Sequence, residues 1–325
     1  MWGYLVRRFA QAALVVAVMA TVVFFGVNVI GNPVDILINP EFDQAELERA
    51  MHALGLDKPL HEQFFYFIKN AVAGDLGTSF VFGEPALKLI LQRMPATLEL
   101  AFAALFLAIL LGVPFGMYAG LRPNSFASKS IMAGSILGFS LPTFWVGIMM
   151  ILLFAVVLGW LPATGRGETV SFLGVDVSFL TRDGLAHLAM PAINLALLKI
   201  SLVVRLARAG AKEAALQDYV KFARAKGMSE TRIVLMHILK NIMIPVVTVL
   251  GLEFGSLIAF SVVTETVYAW PGMGKLIIES IQVLDRPIIV AYLMMTVLLF
   301  VSINLIVDLL YSLLDPRVRM GVMGK

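Results

Sequence analysis

Six long apolar segments constrain the fold more than any other feature of the sequence. They lie near residues 9–30, 97–121, 130–158, 188–210, 244–266 and 287–313. A helix needs about 20 apolar residues to cross the hydrocarbon core of a bilayer, and each segment reaches that length. Charged residues make up 14% of the chain, against about 25% in soluble domains. The sequence therefore predicts an all-α polytopic membrane protein with six transmembrane helices in one domain, residues 1–325.

The first apolar segment follows Arg7 and Arg8, as the core of an export signal would. Its run from Phe9 to Ile30 is longer than the roughly 7–15 residues of a signal-peptide core, and no small-x-small cleavage motif follows it. We therefore predict that residues 1–30 form an N-terminal segment and a retained first span.

Lysine and arginine are unevenly distributed among the loops. They concentrate near the amino terminus and in residues 205–240, whereas residues 31–96 contain nine acids and five bases. Because basic residues accumulate on the cytoplasmic side of membrane spans, we predict that both termini are cytoplasmic. Residues 31–96 are then an outer loop, 97–314 a five-span core and 315–325 a cytoplasmic tail. The net charge of +3 reflects this asymmetry and does not indicate a nucleic-acid partner.

Two loops on the predicted outer side contain secondary-structure signals. Residues 43–54 and 59–73 have apolar positions at helical spacing, separated by a Gly-Leu-Asp-Lys-Pro turn. They predict two short surface helices, which either rest on the membrane or offer a docking face to an extracytoplasmic partner. Residues 161–188 are rich in glycine and contain short β-favouring stretches, which predict a small hairpin.

The residues that enzymes and metal sites use are missing or badly spaced. The chain has no cysteine, and its four histidines do not occur at metal-ligand spacing. The sequence WPGMGKL at 270–276 lacks the first glycine of a phosphate-binding loop. We therefore predict no catalytic residue, no metal site and no cofactor bound by this chain, which is not expected to be an enzyme.

Ionisable residues inside apolar spans are costly and often functional. Glu99, Lys199, Glu253 and Asp308 fall in this class. Glu99 and Asp308 lie near span ends, where headgroups and water reach them, and we predict structural roles for both. Glu253 lies deeper, between Gly251 and Gly255, and is the candidate pathway residue. Two interpretations remain open for it: it lines a polar pathway, or it pairs with a residue across a helix interface.

The densest basic cluster is DYVKFARAKGMSETRIVLMHILKNIMIP, residues 218–245. Tyr219, Phe222 and Ala223 recur at i, i+3 and i+4 and predict a short amphipathic helix with an exposed aromatic pair. Gly227 interrupts this helix, in a position that favours a positive φ or close approach to a partner, and Ser229 is predicted to cap the next one. The segment is either a basic helix on anionic headgroups or a projection shaped for a protein groove.

The same segment resembles the cytoplasmic loop of binding-protein-dependent ABC importer permeases, in their oligopeptide/dipeptide/nickel branch. DYVKFARAKG and the later HILKNIMIP resemble that loop. So do GLDKPLHEQF, GDLGTS, MPATLELA, GFSLPTFWVG, GWLPATG, VVTETVYAWPGMGKL and NLIVDLLYSLLDPRVR in their own regions. The general motif reads E-A-A, three residues, Gly, nine residues, I-x-L-P. With Gly227 as its glycine, Lys221, Phe222 and Ala223 replace the triplet, while the literal E-A-A at 213–215 has Tyr219 where the glycine belongs.

The resemblance implies a type I ABC importer permease fold and a role as one half of the translocation pathway. The solutes would be di- or oligopeptides delivered by an extracytoplasmic binding protein, with nickel chelates or glutathione as alternatives. Two rival classes are a self-sufficient secondary transporter, whose inverted repeats the sequence lacks, and an intramembrane enzyme, which would need a paired nucleophile and base or a metal cluster within the spans. IGNPVD at 30–35 replaces the P-G-D-P that the family pattern has there, which weakens inference about an outer gate.

The resemblance also implies partners and a coupling loop. The partners are a homologous second permease, two ATPase subunits that bind ATP and Mg, the binding protein, and the lipid of a bacterial inner membrane. The loop spans residues 211–243 and would dock on an ATPase subunit. The residues implied in docking are Tyr219, Phe222, Ala223, Arg224, Ala225, Lys226, Gly227, Met228 and Glu230.

Overall fold

The computed structural model describes the backbone of residues 2–29 and 58–314, and the side chains of residues 6–26 and 58–307. In chain order the elements are α1 (Trp2–Val29), α2 (Leu60–Val72), α3 (Ala86–Leu121), α4 (Phe126–Ser140), α5 (Thr143–Met150), a π-helical segment (Ile151–Val157), β1 (Val170–Phe172), β2 (Val175–Val177), α6 (Arg182–Ala215), α7 (Asp218–Ala225), α8 (Glu230–Ile233), a second π-helical segment (Val234–Ile238), α9 (Leu239–Val267), α10 (Met273–Gln282) and α11 (Arg286–Leu314).

Five of the predicted spans coincide with single long helices, α1, α3, α6, α9 and α11. Within the described ranges, these helices are long and apolar enough to cross a membrane. The remaining predicted span, near residues 130–158, is formed by a broken pair of helices and not by one continuous helix. There α4 and α5 meet at an angle of 106°, and six spans result if the bent pair counts as one.

The bend in this pair lies at Leu141 and Pro142. Leu141 has an extended backbone, with φ −84° and ψ 136°, and Pro142 is the N-cap of α5. A proline ring collides with a helical residue immediately before it and pushes that residue into the extended region. The same ring has no N–H to lose at the start of a new helix. Pro142 therefore ends α4 and begins α5.

The helices group into two compact units. The first comprises Met1–Met94 with Gly272–Ser302, and the second comprises Pro95–Pro271 with Ile303–Lys325. In the first unit α1 packs on α2 through Phe24, whose ring centroid lies 5.2 Å from that of Phe64. α2 confirms the helix predicted at 59–73, whereas the helix predicted at 43–54 and the IGNPVD stretch lie outside the described residues.

The loop that follows α2 is anchored within the first unit by one carboxylate. Asp285 is fully buried, and its side chain accepts hydrogen bonds from the Ser79 hydroxyl and from the backbone N–H of Phe80. Asp285 lies directly before α11, so the end of one loop is tied to the start of a distant helix.

The core of the second unit is built around α6, which is buried along much of its length. α3 approaches α6 through Gly112, Gly116 and Gly120, at intervals of one helical turn. A Cβ atom at Gly116 would lie 2.5 Å from the Val204 carbonyl oxygen, and one at Gly120 would lie 2.5 Å from that of Arg208. Only glycine allows this approach, which is how small residues promote packing between membrane helices.

The predicted hairpin is present in the loop between α5 and α6. β1 pairs with β2 in antiparallel register, and the two turn residues, Leu173 and Gly174, have φ of 52° and 79°. Two positive φ angles are typical of the turn whose twist matches a two-residue hairpin.

A buried carboxylate fixes the base of this hairpin. Glu99 Oε1 accepts hydrogen bonds from the N–H and hydroxyl of Ser178 at 2.7 and 2.8 Å and from the N–H of Phe179 at 2.9 Å. Its Oε2 accepts from Arg166 at 2.6 Å. Glu99 is only 8% exposed, so the expectation that headgroups and water satisfy it is wrong. Protein donors satisfy it instead, as a structural role requires.

Candidate functional site

The basic segment begins with α7, an eight-residue helix with two different faces. Val220 and Ala223 are buried, whereas Phe222 is 62% exposed and Tyr219 is 39% exposed. The amphipathic helix and its exposed aromatic pair are therefore confirmed. The buried stripe is Val220 with Ala223, and the expected grouping of Ala223 with the two aromatic residues is wrong.

α7 ends in a Schellman motif at Gly227. The Gly227 N–H donates to the Arg224 carbonyl at 2.9 Å, and the Met228 N–H donates to the Ala223 carbonyl at 3.2 Å. This pattern of bonds requires a left-handed residue after the C-cap, and Gly227 has φ of 77°. The predicted positive φ is confirmed. A Cβ there would meet no atom of the described chain within 4 Å, so backbone conformation explains the glycine within this chain.

An ion pair joins α7 to α8 across the glycine. The Arg224 guanidinium donates to both carboxylate oxygens of Glu230, at 2.7 and 3.2 Å, and these hydrogen bonds raise the pKa of Arg224. Ser229 has the extended backbone of an N-cap, but its hydroxyl makes no capping bond, so that part of the prediction is wrong. Glu230 instead supplies negative charge in the first turn, which favours a helix N-terminus.

The buried side of α7 and α8 belongs to the core of the second unit. Val220, Ala223 and Ile233 pack in one cluster with Ala207 and Ile242 of the long helices, and Met228 packs against its edge. The side chain of Asn241, in α9, donates to the Tyr219 hydroxyl. Residues 218–230, called the knob below, are therefore packed against α6 and α9 through their buried side.

The opposite side of the knob combines an aromatic ring with positive charge. Phe222, Arg224, Ala225 and Lys226 are exposed, and the Lys226 ammonium lies 4.5 Å from the centre of the Phe222 ring. Exposed aromatic and arginine side chains on a rigid support are typical anchors of protein interfaces. The arrangement fits a protein groove that accepts a ring surrounded by acidic or polar groups.

Inside the spans, the structure pairs Glu253 with Lys199. The Lys199 ammonium donates to Glu253 Oε2 at 2.6 Å and to the Ser256 hydroxyl at 2.7 Å. Lys199 lies on α6 and Glu253 on α9, so the pair crosses a helix interface, which was one of the two interpretations of Glu253. Its role in a pathway stays a prediction.

Comparison with known proteins places the chain in a family. Residues 112–320 match the binding-protein-dependent transport system inner membrane component, and residues 1–101 match the N-terminal domain of such membrane components. The chain belongs to this family. It is a multi-pass inner membrane protein and a permease subunit of an ABC importer, which works with ATPase and binding-protein partners.

Individual relatives match this permease over nearly its whole length. The chain is 37% identical to the di/tripeptide transport system permease protein DppB of Pseudomonas aeruginosa, over 91% of this chain and 95% of the relative. It is 36% identical to the glutathione transport system permease protein GsiC of Escherichia coli, over 98% and 99%. Among solved structures, the methionine ABC transporter MetNI is similar at a TM-score of 0.54 and 18% identity, over 70% of this chain and 96% of that chain. That likeness shows the type I importer permease fold.

Some contacts of the candidate site residues leave no clear signal in the sequence. Lys199 and Glu253 are both conspicuous as charges in apolar spans, but nothing in the sequence shows that they face each other. Val220 is easily overlooked because it lies between an aromatic and a charged neighbour. Its position three residues before Ala223 is the helical spacing that could have identified the buried stripe.

Proposed function

We propose that this permease imports short peptides, forming half of a translocation pathway that a homologous second permease completes. The observation that supports the solute class is the match to a di/tripeptide permease over 95% of that relative's length. Glutathione, the solute in the name of the E. coli relatives, is itself a tripeptide, so both names point to one chemical class. An extracytoplasmic binding protein would deliver the peptide.

In this proposal the knob is the surface that docks on an ATPase subunit. Its underside packs on α6 and α9, so a displacement of the knob would move these two spans. Its exposed face offers Phe222 and a set of basic groups, which suit a cleft with acidic rims. The alternative, a basic helix lying on headgroups, does not explain a bend fixed by a Schellman motif and an ion pair.

The proposed cycle takes its energy from the partners. ATP and Mg would bind to two ATPase subunits, and ATP-driven closure of these subunits would bring two knobs together and switch the access of the pathway. This requires the knob and both termini of the permease to be cytoplasmic, as the charge asymmetry of the loops predicts. No step of ATP hydrolysis or solute chemistry is assigned to this chain.

Uptake measurements test the solute class. The permease is expressed with its second permease, ATPase and binding-protein partners in a bacterial strain that lacks its own peptide and glutathione importers, and uptake of labelled trialanine and labelled glutathione is followed. We expect ATP-dependent uptake of at least one of them and none when the ATPase partner is omitted. Uptake of neither peptide, with all subunits present in the membrane, would contradict the proposed solute class.

A further inference from the structure

Lys199 and Glu253 form an ion pair far from the ends of two membrane-spanning helices. Lys199 lies in the middle part of α6, and Glu253 lies near the midpoint of α9. Charged side chains at such depth are costly in a bilayer and usually face a protein interior or a water-filled cavity. The pair therefore marks a polar part of the surface of the second unit.

The two oxygens of Glu253 differ in their partners. Oε2 accepts from Lys199 at 2.6 Å and lies 2.8 Å from the Ser256 hydroxyl, which donates there or to the Glu253 carbonyl. Oε1 makes no hydrogen bond to the described residues. Lys199 is nearly enclosed, with 8% of its side chain exposed, whereas 39% of the Glu253 side chain is exposed. One carboxylate oxygen is thus held in place, and the other is available at the surface.

A lipid environment is a poor explanation of this surface. Hydrocarbon offers no hydrogen-bond donor to an exposed carboxylate oxygen, and an unsatisfied polar group is expensive there. A pathway that carries hydrated or polar solutes removes that cost. Since the chain is a permease subunit, Glu253 fits such a pathway better than a lipid-facing surface.

We propose that Glu253 Oε1 accepts a hydrogen bond from an ammonium group of the solute while the solute crosses the membrane. The ligand class is a peptide with a free amino terminus, so the inference deepens the proposed function and rests on it. An ionised acceptor and an ionised donor make a stronger hydrogen bond than neutral partners. Lys199 is the positioning residue, because its ammonium group binds Oε2 and makes no hydrogen bond to Oε1.

Charge-selective thiol labelling tests the site without any knowledge of the solute. The chain has no cysteine, so Val249→Cys introduces a single thiol one helical turn before Glu253, at a half-exposed position. The assembled importer is treated with a trimethylammonium-ethyl thiosulfonate or a sulfonatoethyl thiosulfonate, and both rates are divided by those for a free thiol. We expect the cationic reagent to be favoured at least tenfold, and the preference to fall to about one when Glu253→Gln is added.

The labelling has two outcomes that would overturn the site. Absence of any modification at Val249→Cys would show that this face is closed to water. An equal preference with and without Glu253→Gln would show that the carboxylate does not attract an ammonium group.

A charge exchange separates solute contact from a purely structural ion pair. Lys199→Glu combined with Glu253→Lys should keep an ion pair and a melting temperature near that of the native importer. Uptake of trialanine at saturating solute should nevertheless fall at least tenfold, because the lysine ammonium introduced at position 253 would repel the ammonium group of the solute. Full uptake by the exchanged variant would leave the pair a structural role only. If the native importer ignores trialanine while the labelling preference is found, the peptide assignment fails and the ammonium site stands.

Discussion

Gly227 has a left-handed backbone conformation that favours glycine, whereas two other helix ends place a non-glycine residue in the same conformation. Ala269 and Leu284 have φ of 48° and 54° and occupy the same position after α9 and α10 as Gly227 does after α7. The residues that follow them, Trp270 and Asp285, are fully buried. Buried neighbours can hold a non-glycine residue in a strained conformation. Gly227 is followed by the half-buried Met228 and lacks such support.

Gly227→Leu is expected to weaken coupling to the ATPase. A left-handed leucine costs about 1–2 kcal/mol, which would shift the knob away from the bent conformation that the Schellman motif maintains. The permease should still insert in the membrane, but co-purification of the ATPase subunits and ATP-driven uptake should both decrease several-fold.

Gly174→Leu is the matched control for this change. Gly174 has φ of 79°, and a Cβ added there, as at Gly227, would meet no described atom within 4 Å, but Gly174 lies in the hairpin turn. The same backbone strain there should leave ATPase attachment unchanged. Normal uptake by Gly227→Leu at normal membrane levels would contradict the coupling role of the knob.

The buried face of α7 is expected to stabilise the fold, and its exposed face is expected to bind the ATPase. One substitution on each face can separate these two roles. Val220→Ala removes buried methyl groups from the core and should lower the free energy of unfolding by about 1–2 kcal/mol. Phe222→Ala removes a ring that is 62% exposed, so the melting temperature of the isolated permease should hardly change. Its attachment to the ATPase should weaken at least tenfold, as for an interface anchor. Equal ATPase attachment by native and Phe222→Ala permeases would show that the exposed ring is not part of the interface.

Helix boundaries are predictable where they depend on neighbouring residues. Apolar length locates the spans, and Gly227 locates the end of α7. The bend after α4 is not predictable from its proline alone, because Pro114, Pro191 and Pro245 lie inside α3, α6 and α9, which continue through them. In a membrane, neighbouring helices can satisfy the backbone groups that a proline frees. Whether a proline bends a helix therefore depends on packing that the local sequence does not contain.

Contacts between distant parts of the chain are the least predictable. Thr97 donates to Glu265 across 168 residues, and Glu99 accepts from Ser178 across 79. Glu99 is conspicuous as a charge in an apolar span, but nothing in its own segment identifies its partner, which is fixed only by the packing of distant parts of the chain. The family resemblance predicts the fold and implies a coupling loop, but the pairing of Lys199 with Glu253 requires the three-dimensional structure.

The orientation of the whole permease can be tested because the chain contains no cysteine. Asn70, Glu168, Gln282 and Ser229 are all exposed. An impermeant thiol reagent added outside the inner membrane should label Asn70→Cys, Glu168→Cys and Gln282→Cys, because their loops are predicted to be external. Ser229→Cys, in the knob, should react only after the membrane is permeabilised. Labelling of Ser229→Cys in sealed cells would reverse the predicted orientation and exclude ATPase docking at the knob.

The anchor between Ser79 and Asp285 has a consequence for biogenesis. The two residues are 206 positions apart, and at synthesis rates of about 5–20 residues per second a ribosome needs roughly 10–40 s to cover that distance. During this interval the loop after α2 has been synthesised without its carboxylate partner. A nascent chain that stops before α11 would retain an unanchored loop after α2. We expect the proteases of membrane quality control to attack such truncated chains first at this loop.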